Sequence, residues 1–247
     1  MENRIKQLSK TCNYYITTKE NSLPYQNSLA LHTNQNPKDI ISNREKISLS
    51  SQPLEFMVAN QVHSNSVVVI DEKLSKGWSE ESSAIKSCDG LITNQKGVVL
   101  TILTADCVPI LLYDKSREVI SGLHAGWRGT KLEIVKIAIL KMIKEFGTNP
   151  KDISVFIAPS IRGCCYEVGI DVSQEFEEYR EYCIPTNNKY MLDLSAINRV
   201  QLLDMGVESE NIEISSSCTA CESDKFFSYR KEGGCDGRFM SIIWMNR

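Results

Sequence analysis

The stretch LTADCVPILLYDKSREVISGLHAGWRGT (103–130) contains two apolar runs on either side of the polar sequence DKSR. These runs, 108–113 and 118–123, predict a β-hairpin in which Cys107 faces His124 at the open end. Directly opposed residues have Cβ atoms about 4.5–5.5 Å apart, so a thiolate and an imidazole placed in this way can ligate one metal ion. The sequence therefore predicts a hairpin with a candidate metal site at its open end.

A metal site here needs a third ligand, and the chain has 3 histidines. His32 lies in a polar N-terminal stretch, whereas His63 lies in NQVHS, at the junction between two predicted strands. We take His63 as the third ligand. Two histidines and one cysteine without an obvious fourth protein ligand are typical of a catalytic zinc site, whose open position holds water or substrate. A buried cysteine beside a hydrogen-bonded histidine is the alternative interpretation.

The residues next to the hairpin suggest further chemistry. Asp106 precedes the cysteine and is a candidate acid/base, or a carboxylate that orients a ligand. The sequence HAGWRGT leads from the hairpin into a predicted helix. Thr130 and Glu133 would start this helix as a capping box, and Gly147 would end it.

An anion site is predicted at the start of that helix. Gly126 and Gly129 allow close approach to the backbone, free N–H groups attract an anion, and Arg128 adds a positive charge. We therefore expect a phosphate beside the metal. Arg44 is a second candidate for binding phosphate, and Gln61, from NQVHS, is a candidate for binding substrate or phosphate. The alternative interpretation is a tight strand-to-helix turn with a solvated arginine.

The rest of the chain predicts a mixed fold. With 247 residues, 42% hydrophobic and 24% charged, the composition is that of an ordinary globular protein. Strand and helix patterns follow one another without the strict βαβ order of a doubly wound fold. Strands are predicted in FMVANQVHSNSVVVI, DGLITNQKGVVLTILTADCVPILLYD, DISVFIA, IEISSS, KFFSYR and RFMSIIWM, and helices in 37–49, DVSQEFEEYREY and DLSAINRVQLLDMG. We expect an α/β (α+β) domain of mixed β-sheets flanked by helices.

The net charge, the apolar runs and the cysteines indicate what the protein does not bind and where it is expected to work. The net charge of -3 and pI near 5.8 give no basic footprint for nucleic acid. No apolar run approaches the roughly 18 residues of a membrane span, and MENRIKQLSK lacks a signal peptide's apolar region, so we expect a cytoplasmic protein. In the cytoplasm we expect the 9 cysteines to be reduced thiols. CTAC (218–221) lacks a second CxxC and a βαβ context, so we expect it, like Cys164 and Cys165, to pack without binding a metal.

Five motifs follow one another in a specific order: NQVHS, TADCVPILLYD, HAGWRGT, YEVG and FFSYR…GGCDGR. Together they resemble the YfiH-like laccase-domain family, whose members have been called polyphenol oxidases and are now regarded as zinc-dependent purine nucleoside phosphorylases. The resemblance runs from about Arg44 to the C-terminus. We therefore expect one domain over 1–247, with a divergent portion at 1–43, where TTKENSLPYQNS lacks the arginine and glycine pair usual in the family.

The resemblance implies an activity and a site. The activity is phosphorolysis of adenosine, inosine and 5′-methylthioadenosine to free base and a ribose 1-phosphate, together with deamination of adenosine. The zinc ligands fall on His63, Cys107 and His124, which with Asp106 are the expected catalytic residues. The implied partners are small purine nucleosides and phosphate, and the implied fold is an αββα-type layered arrangement.

Three other functions are weighed against this one. A multicopper oxidase needs more histidines than the 3 present for its trinuclear and blue-copper sites. A lone blue-copper site has two histidines and one cysteine as equatorial ligands and stays an alternative, but no methionine follows His124 closely as its axial ligand, so zinc is favoured over copper. A cysteine amidase acting on a peptidoglycan precursor would use Cys107 as a nucleophile activated by His124. A zinc-stabilised binding module without catalysis would normally close its metal with four protein ligands.

Overall fold

We describe residues 5–246 of the protein from a computed structural model. In chain order its strands are β1 (Lys6–Gln7), β2 (Cys12–Ile16), β3 (Glu55–Val58), β4 (Val67–Val69), β5 (Gly90–Thr93), β6 (Val98–Thr104), β7 (Val108–Asp114), β8 (Val119–Ala125), β9 (Ile153–Ile157), β10 (Glu167–Val168), β11 (Cys183–Thr186), β12 (Lys189–Leu192), β13 (Ile212–Ile214) and β14 (Phe239–Met245). The α-helices are α1 (Pro37–Glu45), α2 (Trp127–Lys131), α3 (Ile134–Phe146), α4 (Ile170–Ser173) and α5 (Leu194–Asp204).

The strands form mixed sheets. One sheet has the order β1-β2-β14-β6-β3, a second has the order β13-β9-β7-β8-β5-β4, and a small third sheet has the order β10-β12-β11. Within the first sheet β3 pairs in parallel with β6, whereas β14 is antiparallel to both of its neighbours. In the second sheet β4 with β5 and β13 with β9 are the parallel pairs. The predicted mixed α/β class is confirmed.

The two large sheets pack face to face. Apolar side chains of both sheets fill the space between them, where the rings of Tyr14 and Phe156 lie 4.6 Å apart. Helices α3 and α5 cover the other face of the second sheet. The outer face of the first sheet is covered by Leu29, Ile47 and Leu49, which flank α1. This is the αββα-type arrangement expected from the resemblance.

The hairpin β7–β8 is present in a different register from the predicted one. Pro109, not Cys107, pairs with His124. Cys107 precedes the first paired residue, Val108, and lies just beyond the strand. Because the displacement is two residues, and side chains alternate with a period of two, Cys107 and His124 remain on the same face.

The turn of the hairpin explains the displacement. β7 runs one residue further than predicted, to Asp114, whose Oδ1 accepts the N–H groups of Ser116 and Arg117 at 2.8 and 3.1 Å. Glu118 adopts a left-handed φ of 51° and belongs to the turn, although it was predicted to begin the second strand. The loop is therefore 115–118 and not 114–117.

The predicted capping box is wrong. α2 stops at Lys131, and α3 begins after Glu133, which has a left-handed φ of 56°. The Thr130 side chain does not cap a helix, because its Oγ1 accepts a 2.9 Å hydrogen bond from Asn198 on α5. The end of the helix is as predicted, since Gly147 has φ 68° and donates to the carbonyl of Ile143.

Several other elements differ from the sequence pattern. KFFSYR forms turns, not a strand, and its Phe226 and Phe227 are buried with Phe239. DVSQEFEEYREY is the short α4 followed by 3₁₀ turns, and α1 ends four residues before the predicted end at Leu49. The strands in DISVFIA, IEISSS and RFMSIIWM and the helix in DLSAINRVQLLDMG are confirmed. Within residues 5–246, no helix has the length and apolar character needed to cross a membrane.

FMVANQVHSNSVVVI forms the two predicted strands, but they do not pair with each other. β3 belongs to the first sheet and β4 to the second. The connection between them therefore passes from one sheet to the other and carries Gln61 and His63 across the joint edge. This crossing is the feature of the fold that builds the site.

Candidate active site

Three side chains meet at this edge of the two sheets. His63 comes from the β3–β4 connection, Cys107 from the turn between β6 and β7, and His124 from β8. One ligand atom from each, two imidazole nitrogens and the Cys107 Sγ, lie within 4.8 Å of one another. The two imidazole rings are 4.8 Å apart and nearly perpendicular, at 76°. His124 is buried and His63 is exposed, so the cluster is open on the His63 side.

Asp89, a residue that the sequence did not indicate, organises this cluster. It is fully buried immediately before β5, and its Oδ1 lies 2.8 Å from Nδ1 of His124. The same carboxylate accepts the N–H groups of His63 and Ser64 at 2.9 and 2.6 Å and the Ser64 hydroxyl at 2.7 Å. One carboxylate therefore fixes both the loop that carries His63 and the ring orientation of His124. Only the pairing of β5 with β8, which brings Asp89 beside His124, would have revealed it.

The cluster fits a metal ion in two further respects. Occupation of the His124 Nδ1 by Asp89 leaves Nε2 for a ligand bond, which is the usual carboxylate–histidine–metal arrangement. Gly126 faces the cluster, and a Cβ built on it would lie 3.1 Å from both the Cys107 Sγ and the His63 Cδ2. A side chain at this position would displace two of the three ligands. Glycine is therefore required by the close approach.

The electrostatics of the cluster favour the thiolate form of Cys107. Burial by itself would raise the pKa of the Cys107 thiol, but the neighbouring His124 and His63 lower it to about 6. Burial would lower the pKa of His124, but Cys107 and Asp89 raise it to about 9. Burial would raise the pKa of Asp89, whereas its bonds to His124 and Ser64 lower it to about 2. Cys107 is thus the thiolate that a metal, or a nucleophilic reaction, needs.

Gln61 braces the His63 loop. Its Nε2 donates to the carbonyl of Leu103 at 2.8 Å, and its Oε1 accepts the Leu103 N–H at 2.9 Å. The amide therefore acts as an additional strand partner at the end of β6. With both functional groups engaged, Gln61 positions the loop, and this placement does not favour the predicted contact with substrate or phosphate.

Asp106 holds the opposite wall of the site. It has φ 92°, and its carboxylate accepts the Thr219 hydroxyl at 2.7 Å and the backbone N–H of Arg230 at 2.7 Å. Its own carbonyl accepts the N–H of Ile161 at 2.9 Å. These bonds tie two distant loops to the residue before Cys107. The geometry is that of a residue that positions the ligand, rather than of an acid/base with a free carboxylate.

Arg44 is buried away from solvent, at 1% exposure. Its guanidinium donates two bonds to the carbonyl of Leu29 and one each to Gly77 and Trp78, at 2.5–2.9 Å. Four of the five N–H groups of an arginine are thereby used. The structure therefore places Arg44 as a structural link between the N-terminal segment and 77–78, which does not favour the predicted phosphate role.

Arg128, unlike Arg44, is exposed to solvent. It is an exposed residue of α2, stacked on the Trp127 ring with 4.3 Å between guanidinium carbon and ring centre. Across residues 5–246 no carboxylate pairs with it. Tyr166 lies near enough for Cys107 and Arg128 to influence its pKa, which burial raises to about 12. Arg230 stacks on the same Tyr166 ring at 5.3 Å.

Four of the other cysteines, which were expected only to pack, lie close together in the structure. Cys218 and Cys221 of CTAC converge with Cys164 and Cys165, and the four Sγ atoms lie within 4.8 Å of one another. The sequence contains no second CxxC to complete a four-thiolate set with CTAC. The second pair is instead two adjacent residues from a loop that the parallel β9–β13 pairing brings alongside.

The protein is thus a layered mixed α/β fold with a candidate metal-binding cluster of two histidines and one cysteine at the joint edge of its sheets. Residues 15–246 match the family model described as "Multi-copper polyphenol oxidoreductase laccase", and the chain belongs to this family. The family is thus the one that the sequence motifs resemble.

Relatives and solved structures agree with this assignment. The chain is 34% identical over 242 residues to "Purine nucleoside phosphorylase YlmD" of Bacillus subtilis, covering 93% of this chain and 87% of that protein. It is 35% identical over 197 residues to "Adenosine deaminase RL5" of an unknown prokaryotic organism, covering 77% of this chain and 75% of that protein. The crystal structure of the hypothetical protein YfiH of Bacillus licheniformis superposes with a TM-score of 0.90 at 29% identity, over 99% of this chain and 100% of that one.

Proposed function

We propose that the protein is a zinc-dependent purine nucleoside phosphorylase. Its substrates are adenosine, inosine and 5′-methylthioadenosine, which it cleaves with phosphate to the free base and the corresponding ribose 1-phosphate. The observation that carries the proposal is the cluster of His63, Cys107 and His124, which offers three ligands, is held by Asp89 and opens toward solvent. Relatives named purine nucleoside phosphorylase support the reaction.

His63, Cys107 and His124 would hold the zinc. Their donor set of two imidazoles and one thiolate suits this ion, and three protein ligands leave one position for water or substrate. When bound, zinc acts as a Lewis acid and lowers the pKa of water. A copper oxidase is not favoured, because the whole chain has 3 histidines for a trinuclear centre and a blue-copper site together.

Residues around the cluster would bind the phosphate and the base. In phosphorolysis a phosphate oxygen forms a bond to C1′, the C1′–N9 bond breaks, and the leaving purine takes up a proton. Arg128, exposed and without a carboxylate partner among the described residues, supplies positive charge for the phosphate. Tyr166 stays protonated at neutral pH because its pKa is about 12. Its ring can stack on a base while its hydroxyl donates a hydrogen bond.

Deamination of adenosine is the second activity we propose for the same site. Water adds its oxygen to C6, the bond from C6 to the amino nitrogen breaks and ammonia leaves, so the reaction needs no phosphate. The relative named adenosine deaminase supports it. All 9 cysteines are free in the structure, which fits a reducing compartment, and we place both reactions in the cytoplasm.

The test is product analysis with and without phosphate. Purified protein is incubated with adenosine, inosine or 5′-methylthioadenosine, and the bases and sugar phosphates are separated by chromatography. We expect adenine and hypoxanthine only when phosphate is present, and inosine from adenosine under both conditions. Cys107→Ser should abolish both reactions, because it removes a ligand.

The same assay separates the rival activities. The lowered pKa of Cys107 is also what a cysteine amidase would need, so a muropeptide precursor is included as a substrate. A phenolic compound tests for oxidase activity. Failure to release any base, with turnover of either of these compounds, would show the phosphorylase proposal to be wrong.

A further inference from the structure

The chain contains a second convergence of metal-ligating side chains, separate from the site above. Cys164, Cys165, Cys218 and Cys221 form what we call the four-cysteine cluster. None of these residues belongs to the group of His63, Cys107 and His124. The proposed reaction does not use them.

The sulfur positions match those around a single tetrahedral ion. Four thiolates bonded to zinc at about 2.3 Å lie about 3.8 Å from one another. The Sγ of Cys164 is 3.7 Å from that of Cys165 and 3.8 Å from that of Cys221, and Cys165 is 3.3 Å from Cys221. All other separations, including those to Cys218, are at most 4.8 Å. Four sulfurs converge on one centre, and they are not arranged as two bonded pairs.

The two halves of the cluster are held in place by the backbone. The N–H of Thr219 donates to the carbonyl of Ser160 at 3.0 Å, which fixes CTAC beside the loop that carries Cys164 and Cys165. The N–H of Arg162 donates to the Cys218 Sγ at 3.4 Å, and such bonds stabilise the charged thiolate. The Arg162 guanidinium also holds the Ser215 carbonyl at 2.6 Å. The ligands are thus preorganised by contacts that do not depend on a metal.

We propose that the four-cysteine cluster binds one structural zinc ion. Four protein thiolates leave no open position, which is the mark of a structural site and not of a catalytic one. A [4Fe–4S] cluster is not favoured, because it distributes its four thiolates over four irons and needs more widely spaced sulfurs. Cys164 and Cys221 are exposed and Cys218 is buried, so the ion would lie just beneath the surface.

This ion would join the two loops that build one wall of the first site. Thr219, inside CTAC, donates the 2.7 Å hydrogen bond to Asp106, the residue before Cys107. Tyr166 directly follows Cys165, and Arg230 both stacks on Tyr166 and donates its N–H to Asp106. The ion thus acts as a cross-link between 160–166 and 215–222, in a protein whose cysteines are all free.

The experiment is elemental analysis of protein purified with reductant and then equilibrated with zinc and desalted. We expect two zinc ions per chain in the wild type, one in Cys107→Ser and one in the double variant Cys164→Ser/Cys221→Ser. Cys235→Ser is the matched control, since it removes a cysteine outside both clusters, and it should retain two. A wild type with one zinc, all of which is lost in Cys107→Ser, would overturn the proposal.

A second measurement works even where the double variant fails to fold. Cobalt is loaded into Cys107→Ser, which leaves the four-cysteine cluster intact. We expect the intense thiolate-to-cobalt charge-transfer absorption and tetrahedral bands of a four-sulfur site. Their absence, or a Cys165–Cys221 disulfide found by mass spectrometry in freshly reduced and zinc-loaded protein, contradicts the site. Neither measurement uses catalytic activity, so its outcome is independent of the proposed phosphorylase reaction.

Discussion

Asp89 and His124, 35 residues apart in the chain, are joined by a 2.8 Å hydrogen bond between Oδ1 and Nδ1. The bond is fully enclosed, because Asp89 is 0% and His124 is 3% exposed. In Asp89→Asn an amide replaces the carboxylate, so we expect zinc affinity at the first site to fall about 10- to 100-fold. A chelator competition titration measures this.

Asp114→Asn is the matched control for that variant. Asp114 is another buried carboxylate of the same sheet, but it accepts backbone N–H groups at the far end of the hairpin. The Asp114→Asn substitution should lower the free energy of unfolding and leave the zinc affinity unchanged. Equal losses of affinity in the two variants would mean that Asp89 acts only through folding.

Gly126→Ala should weaken zinc binding while the protein remains folded. Its new Cβ would lie 3.1 Å from the Cys107 Sγ and 3.1 Å from the His63 Cδ2, so the ligands must separate. Gly122→Ala, whose Cβ would meet Ile102 at 3.2 Å in the core, is the control. We expect reduced thermal stability with full zinc content for Gly122→Ala, and reduced zinc content for Gly126→Ala. Full zinc content in both would show that the first site tolerates a side chain there.

Arg128→Ala should raise the KM for phosphate more than the KM for nucleoside. Loss of a hydrogen bond to a charged group costs about 1.5–3 kcal/mol, which corresponds to about a 10- to 150-fold rise. Arg117→Ala removes an exposed arginine at the other end of the hairpin and should leave both constants unchanged. A parallel rise in both KM values for Arg128→Ala would indicate a structural role instead.

Arg44→Ala should affect stability and not phosphate recognition. The substitution leaves the buried carbonyls of Leu29, Gly77 and Trp78 without their donor, and each such loss costs about 1–3 kcal/mol. Urea unfolding should show a loss of several kcal/mol, whereas the KM for phosphate of the folded protein stays unchanged. An increase in that KM without loss of stability would restore Arg44 to the phosphate site.

The lowered pKa of His32 predicts that the free energy of unfolding depends on pH. His32 is exposed as a residue, yet desolvation of its ring, followed by the positive charges of Arg238 and Arg44, lowers its pKa to about 4. Between pH about 6.5 and 4 the unfolded chain therefore binds this proton and the folded protein does not. The His32 contribution to the free energy of unfolding is present above pH 6.5 and is lost as the pH falls toward 4. Urea titrations at pH 7 and pH 5 should show a smaller difference for His32→Gln than for the wild type, and an identical difference would contradict the lowered pKa.

The sequence predicted those parts of the fold that local patterns determine. The apolar runs of β7, β8 and β14 report burial directly. In α3 the helical spacing of apolar residues predicts a buried face from Val135 to Phe146; Val135, Ala138, Ile139 and Met142 are buried, whereas Ile143 is 36% exposed and Phe146 is half-buried. The hairpin register was wrong because Asp114 extends its strand while capping the following turn, and no local pattern distinguishes the two uses. The strand prediction for KFFSYR was wrong, because buried aromatic residues in a turn give the same apolar sequence pattern as residues of a strand.

The candidate site likewise contains residues that local sequence patterns could indicate and residues that they could not. Cys107 and His124 belong to one hairpin, so their spacing was informative even in the wrong register. Asp89 and the pair Cys164 and Cys165 reach their partners only through pairings between strands distant in the chain, β5 with β8 and β9 with β13. The buried position of Arg44 gave no signal in the sequence, because its acceptors are backbone carbonyls, which carry no signature there.

The position of β14 has a consequence for how the protein is made. This strand, near the C-terminal end of the described residues, lies inside the first sheet between β2 and β6. During synthesis the ribosome releases β2 and β6 long before the strand that must separate them, and domains fold as units. Until β14 emerges, the end of β6 that anchors Gln61, and through it the His63 loop, belongs to an unfinished sheet. We expect zinc capture at the first site to be a late event of biosynthesis, after translation of this segment.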